Sequence, residues 1–161
     1  MQGFIQQLRA ITHRDASPTS TALAVGNSLG GPVHDNGVFG GSPEGPFATE
    51  EEFSSILRYS DDPGRQGHDV VFTHADLNPR NILISLYNLR DGTRGWRVSG
   101  IVDWEFAGFY PEYWDYTESL FEGFRWSKRL CDLFHGIFMG IKDYSKEFDV
   151  KKRAWESGEG V

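Results

Sequence analysis

The chain has 161 residues, a formal net charge of −7, 39% apolar residues and 14% aromatics, which suits one globular domain with a core and excludes a disordered polar chain. The negative balance argues against nucleic acid or an anionic membrane as partner, because both are polyanions. A single cysteine, Cys131, cannot form an internal disulfide; with no signal-peptide pattern and no apolar run near the roughly 20 residues of a membrane span, a soluble cytoplasmic protein is expected.

Phe4, Ile5, Leu8 and Ile11 recur at helical spacing and predict a short amphipathic helix over the first dozen residues. Residues 15–47, rich in Gly, Pro, Ser, Thr and Asn, read as a long flexible loop. Its glycines, including Gly26, Gly30 and Gly31, invite a phosphate-loop reading, but neither flanking strands nor a following strand with a lysine is visible. A surface loop is the better reading. Thr49 and Glu52 form a capping-box pattern ahead of Phe53, Ile56 and Leu57. The run "VVFTH" is a short buried strand or a lead-in to a loop.

"NILISLY" and "WRVSGIVDW" flank an Asp91-Gly92 turn and predict a β-hairpin. Two helices are expected next, roughly Tyr113–Phe124 and Ser127–Phe148, the second with Leu130, Phe134, Ile137, Phe138 and Ile141 on its apolar face. Trp96, Trp104 and Trp114 are expected in the core or a pocket wall, and residues 150–161 as a frayed tail.

The chemistry concentrates in "VVFTHADLNPRNILIS". His74-Ala75-Asp76-Leu77-Asn78-Pro79-Arg80-Asn81 fits H-x-D-L-x-x-x-N, the pattern of a kinase catalytic loop. Four fixed identities match by chance on the order of once in a thousand such sequences. Past the hairpin, "IVDWE" places Asp103 at the end of an apolar strand, as a kinase places the metal-binding aspartate of its D-F-G motif. Phosphoryl transfer needs a carboxylate to orient a hydroxyl and take its proton, a role open to Asp76. It also needs hard oxygen ligands for Mg²⁺, available from Asn81 and Asp103. His74 packs and hydrogen-bonds the loop backbone in this reading. Glu105 is either a supporting group or simply exposed, and Asp115 either supports the site or caps a helix.

"FTHADLNPRNILI", "SGIVDWEFAGFYPEYWDY" and "GPFATEEEF" resemble the aminoglycoside phosphotransferase family of small-molecule kinases, its fungal branch in particular. The resemblance runs from the first helix to about Phe124. It implies a protein-kinase-like fold and ATP-dependent phosphorylation of a small-molecule hydroxyl, with Mg²⁺ and ATP as cofactors. It also implies Asp76 as catalytic base, Asn81 and Asp103 as Mg²⁺ ligands, and Asp115, in "PEYWDY", as a brace of the catalytic loop. Ala75 stands where many relatives carry glycine.

One part of that machinery is missing from the sequence. No lysine precedes Lys128, whereas a kinase holds the nucleotide phosphates with a strand lysine ahead of its catalytic loop. An arginine fork is a poor substitute for that point charge. Residues 1–161 are therefore expected to form a single partial domain, an α+β carboxy-terminal lobe, mainly helical, with a hairpin beside the catalytic loop and an uncovered apolar patch where a second lobe would sit. Weak or absent transfer is expected of this chain. Two alternatives stay open: a non-catalytic, pseudokinase-like remnant that binds a partner or metabolite, and a metal-dependent hydrolase using His74, Asp76 and Asp103. The acceptor and the oligomeric state are left open.

Overall fold

The computed structural model describes residues 1–12, 24–34, 42–122 and 126–157. Helix α1 (Gln2–Arg9) buries Ile5 completely, while Leu8 and Ile11 pack beside Phe72 and Phe109. At its end, Arg9 donates to the Glu112 carbonyl (2.6 Å) and to the Tyr144 hydroxyl (2.8 Å), tying the first helix to the last third of the chain.

Three short strands form one antiparallel sheet in the order β1-β5-β2: β1 (Gly26–Asn27), β2 (Val70–Thr73) and β5 (Gly108–Pro111). "VVFTH" is thus a strand, in register with β5 through Val71–Tyr110 and Phe72–Phe109. Gly108 is required by the approach of β1, since a Cβ there would lie 2.3 Å from the Gly26 carbonyl oxygen.

The loop expected over residues 15–47 needs correction where it is described. Val25 pairs with Phe47 and Val33 with Glu44, and both valines are fully buried. Asn27 fixes the turn between them: its Oδ1 accepts from the amides of Leu29 and Gly31, and its Nδ2 donates to the Pro32 carbonyl. Residues 15–23 and 35–41 of that expected loop lie outside the described residues.

Helix α2 (Glu50–Ser55) starts at the expected cap. Thr49 Oγ1 accepts from the Glu52 amide (3.2 Å), and the Glu52 carboxylate accepts in return from the amide of Ala48 (2.8 Å), one residue earlier than a capping box places it. Its Phe53 is fully buried, with ring centroids 5.1 Å from Trp114 and 5.5 Å from Phe47.

The hairpin forms from β3 (Ile82–Asn88) and β4 (Arg94–Ile101), with a register shift between Leu83 and Ile84. Ile84 faces Val98 and Leu86 faces Trp96 across the strands, so these four share one face of the two-stranded ribbon. That face is open: Ile84 is 59% and Trp96 64% exposed. Trp96 is therefore not a core residue. Trp104 is also partly exposed, and of the three tryptophans only Trp114 is buried.

Helix α3 (Trp114–Glu122) runs through the core. The single helix expected over Ser127–Phe148 is two, α4 (Lys128–Met139) and α5 (Ser145–Glu156). Gly140 ends α4, and Asp143 Oδ1 accepts from the Ser145 amide (2.9 Å) to begin the next. The apolar period runs across the break because both helices face one core containing Phe134, Phe138 and Tyr144. The tail expected to fray from residue 150 is instead helical to Glu156, and Val150, Lys151 and Ala154 are buried. The Lys151 ammonium is ion-paired to Glu118 and lies over the rings of Phe121 (5.0 Å) and Trp114 (5.5 Å), which compensates its burial. Residues 158–161 lie outside the described residues. Among the described residues no helix is long and apolar enough to cross a membrane.

Candidate active site

β2 delivers the chain into the loop at His74, whose side chain is fully buried. Its Nε2 donates to the Val102 carbonyl (2.9 Å) and its Nδ1 accepts from the Asp76 amide (3.3 Å). The ring also packs on Trp104, with centroids 4.6 Å apart. With both nitrogens committed to backbone groups, His74 has no lone pair for a metal, and the hydrolase alternative loses its first ligand.

The loop turns at Ala75, whose φ of +63° lies in the left-handed region. A Cβ makes that region unfavourable, and glycine is free of the penalty. Ala75→Gly is therefore expected to stabilise the fold by about 0.5–1 kcal/mol, read as a higher urea midpoint; an unchanged or lower midpoint would show that the turn carries no such strain. Asp103, at φ +68°, is the other strained residue here. Only three described non-glycine residues have positive φ, the third being Tyr59, and sparsely populated backbone tends to collect at working sites.

Asp115, from the first turn of α3, braces the loop from below. Its carboxylate accepts from the amides of Ala75 (2.8 Å) and His74 (3.3 Å) and is almost wholly buried. Burial pushes this carboxyl above the usual carboxylate range, although both amides oppose the shift. One turn on, the Ser119 hydroxyl lies 2.8 Å from the Leu77 carbonyl oxygen, a second tie between helix and loop.

After Asp76 the chain makes a 3₁₀ turn over Pro79–Asn81. Asn78 caps it through Oδ1 to the Arg80 amide (3.3 Å), and proline stands at the first position, where its missing N–H costs nothing. That turn brings two side chains onto Asp76. Asn81 Nδ2 donates to the Asp76 carboxylate (2.8 Å) and to its backbone oxygen (3.0 Å). Arg80 Nη2 lies 3.1 and 3.0 Å from the two carboxylate oxygens. The Asp76 side chain stays 15% exposed, so its carboxylate is held in place and open to a small molecule. Arg80 was not singled out from the sequence. Its contact spans four residues, as on an α-helix, yet it arises in a 3₁₀ turn, where no residue-spacing rule announces it.

Asn81 immediately precedes β3, and β4 ends at Ile101, two residues before Asp103. The Val102 amide donates to the Asn81 carbonyl (2.9 Å), which extends the hairpin pairing beyond its strands. Asn81 and Asp103 thereby stand at the same end of the hairpin, on adjoining segments. Both Asn81 amide hydrogens are directed to Asp76, which leaves its Oδ1, a hard oxygen donor, for another partner; the Asp103 carboxylate is exposed. This donor set fits Mg²⁺, which keeps most of its waters and takes only one or two protein oxygens. Among the described residues no group of three or more His, Cys, Asp and Glu side chains is placed to hold a metal. Glu105 is exposed and makes no hydrogen bond or ion pair with a described residue.

A mixed α+β fold with small antiparallel sheets and a carboxylate-bearing loop feeding a hairpin is compatible with a kinase-like domain. The model of the phosphotransferase enzyme family, APH, matches residues 43–140, more than half of the chain and the whole of this site. The chain belongs to that family. Its members generally use ATP and Mg²⁺. Comparison with curated proteins and with solved structures gave no match.

Proposed function

We propose that the chain is the carboxy-terminal lobe of an ATP-dependent phosphotransferase for a small-molecule hydroxyl, of the fungal aminoglycoside phosphotransferase type, with Asp76 as its general base. The observation that carries this reading is the fixed Asp76 carboxylate, held by Asn81 and Arg80 beside the hairpin end that bears Asp103. In this reading an acceptor hydroxyl hydrogen-bonds to Asp76 and gives up its proton there as its oxygen attacks phosphorus. Asn81 and Asp103 would hold Mg²⁺, which when bound neutralises charge on the transferring phosphate. His74 and Asp115 touch no reactant and position the loop.

A non-catalytic remnant is the second reading; residues 1–161 hold no lysine before Lys128 to clamp nucleotide phosphates. Transfer by this chain is therefore proposed to be weak, since positioning of the phosphates supplies most of the rate in such enzymes.

The two readings separate in a radiolabelled Mg²⁺-ATP assay over a panel of hydroxylated acceptors, with Asp76→Asn as control. A slow transfer that falls about 100-fold or more in the variant supports the base assignment. Transfer unchanged in the variant would overturn it, and no transfer with any acceptor would favour the remnant.

A further inference from the structure

Helices α3, α4 and α5 enclose a groove of about 620 Å³, within the range of sites that hold small organic ligands. It is separate from the catalytic loop. Asp115 and Ser119 share the face of α3 that holds the loop, whereas Tyr116 and Leu120, one residue on and about 100° around the helix, line the groove. Tyr116, Leu120 and Phe148 supply a largely apolar floor, with the Tyr116 hydroxyl hydrogen-bonded to His135 Nδ1 (2.9 Å). Phe121 and Trp155 stand edge to face at 4.8 Å, and Trp155 is half exposed.

The rim has one sign of charge in excess. Asp132, Asp149 and Glu156 line the groove against a single lysine, Lys152. Lys152 lies 3.8 Å from Glu156, and Asp132 is paired with Lys128 at 2.8 Å. Asp149 makes no hydrogen bond or ion pair with a described residue. Burial pushes the Tyr116 phenol up; a hydrogen bond with Ser145 opposes this, and the carboxylates of Asp143, Asp149 and Glu147 add to the rise. Asp149, a carboxylate without a partner among the described residues, and the half-exposed indole of Trp155 line the same groove; a carboxylate and an aromatic face receive positive charge, and the apolar floor receives a hydrophobic body.

We propose that this groove binds an organic cation with a compact aromatic or alicyclic body, the body lying over Tyr116, Leu120 and Phe148 and the ammonium meeting Asp149 and the face of Trp155. The site is non-catalytic and independent of the Asp76 chemistry, so it holds its ligand whether or not the chain transfers phosphate.

The test uses the 161-residue chain and two probes with the same body and opposite charge, 4-phenylbutylamine and 4-phenylbutanoate. Both are titrated by calorimetry and by amide shift mapping at neutral pH. The amine is expected to bind one to one, about tenfold or more tighter than the carboxylate, with shifts centred on Leu120, His135 and Phe148. Asp149→Asn and Trp155→Ala, at an exposed and a half-exposed position, should each weaken the amine about threefold to tenfold while unfolding stays cooperative. Equal binding of the two probes, no saturable binding, shifts centred on residues 74–81, or wild-type affinity in Asp149→Asn would each overturn the proposal.

Discussion

Replacing His68 with alanine should lower the free energy of unfolding by about 3–5 kcal/mol, the cost of removing one partner from a buried charged cluster. The His68 side chain is 5% exposed and lies between two carboxylates, Glu50 at 2.8 Å on Nδ1 and Glu147 at 3.1 Å on Nε2. It joins α2 to α5, and its ring packs edge-on against Tyr113, with centroids 4.7 Å apart. Burial by itself would lower the imidazole pKa, but the hydrogen bonds and charges of Glu147 and Glu50 together raise it above the ordinary 6.5. A group whose folded pKa is raised contributes most while it is protonated in both states. The His68 contribution is thus complete below about pH 6.5 and declines as pH rises through the raised folded value. Urea melts of the wild type and His68→Ala should therefore differ most near pH 6, and the gap should narrow as pH rises, leaving the part due to ring packing and neutral hydrogen bonds. A gap that is constant or widens with pH would contradict the ion-paired assignment.

Asp115→Ala is the second large effect, about 2–5 kcal/mol, because two buried amides, those of His74 and Ala75, lose their acceptor. Asp115→Asn keeps one acceptor oxygen and turns an NH₂ toward the other amide, so it should cost less than the alanine variant and more than nothing. The ranking, read from urea midpoints, separates a hydrogen-bonding brace from a space-filling residue. Equal costs for both variants, or a cost under about 1 kcal/mol for alanine, would show that the loop holds its shape without Asp115. Asp76, the proposed base, depends on this brace through the backbone of His74 and Ala75, so on that proposal phosphate transfer should fall with the stability.

The parts of the fold visible in the sequence were those dictated by neighbours along the chain. The β3–β4 hairpin follows from β-branched runs around Asp91-Gly92, and the Thr49–Glu52 cap from a four-residue pattern. The loop motif was visible because residue identity at fixed spacing carries it. What was hidden depends on distant partners. Val25 and Val33 looked like loop residues because their pairing partners, Phe47 and Glu44, lie 22 and 11 positions away in a glycine-rich region. Lys151 looked like part of a charged tail because nothing near it in sequence marks Glu118, Trp114 and Phe121 as its neighbours. The break at Gly140 was masked because α4 and α5 present their apolar faces to the same core, so the helical period survives the turn. At the site, His74, Asp76, Asn81, Asp103 and Asp115 were named from the sequence; the Arg80 contact with Asp76 and the strained backbone at Ala75 and Asp103 became visible only with the coordinates.

The open apolar face of the hairpin, with Ile84 and Trp96 largely exposed, adjoins the end that carries Asn81 and Asp103. A phosphotransferase site at that end makes a direct demand on metal-nucleotide binding, whatever the rate of transfer. The most direct measurement is paramagnetic broadening of backbone amide signals by Mn²⁺ with excess ADP, compared with Mg²⁺ and ADP. Broadening is expected to centre on Asn81–Ile82 and Val102–Trp104 and to be much reduced in Asp103→Asn. Broadening centred elsewhere, for example on the Glu50 and Glu147 carboxylates, or none between Asn81 and Trp104, would contradict a site there.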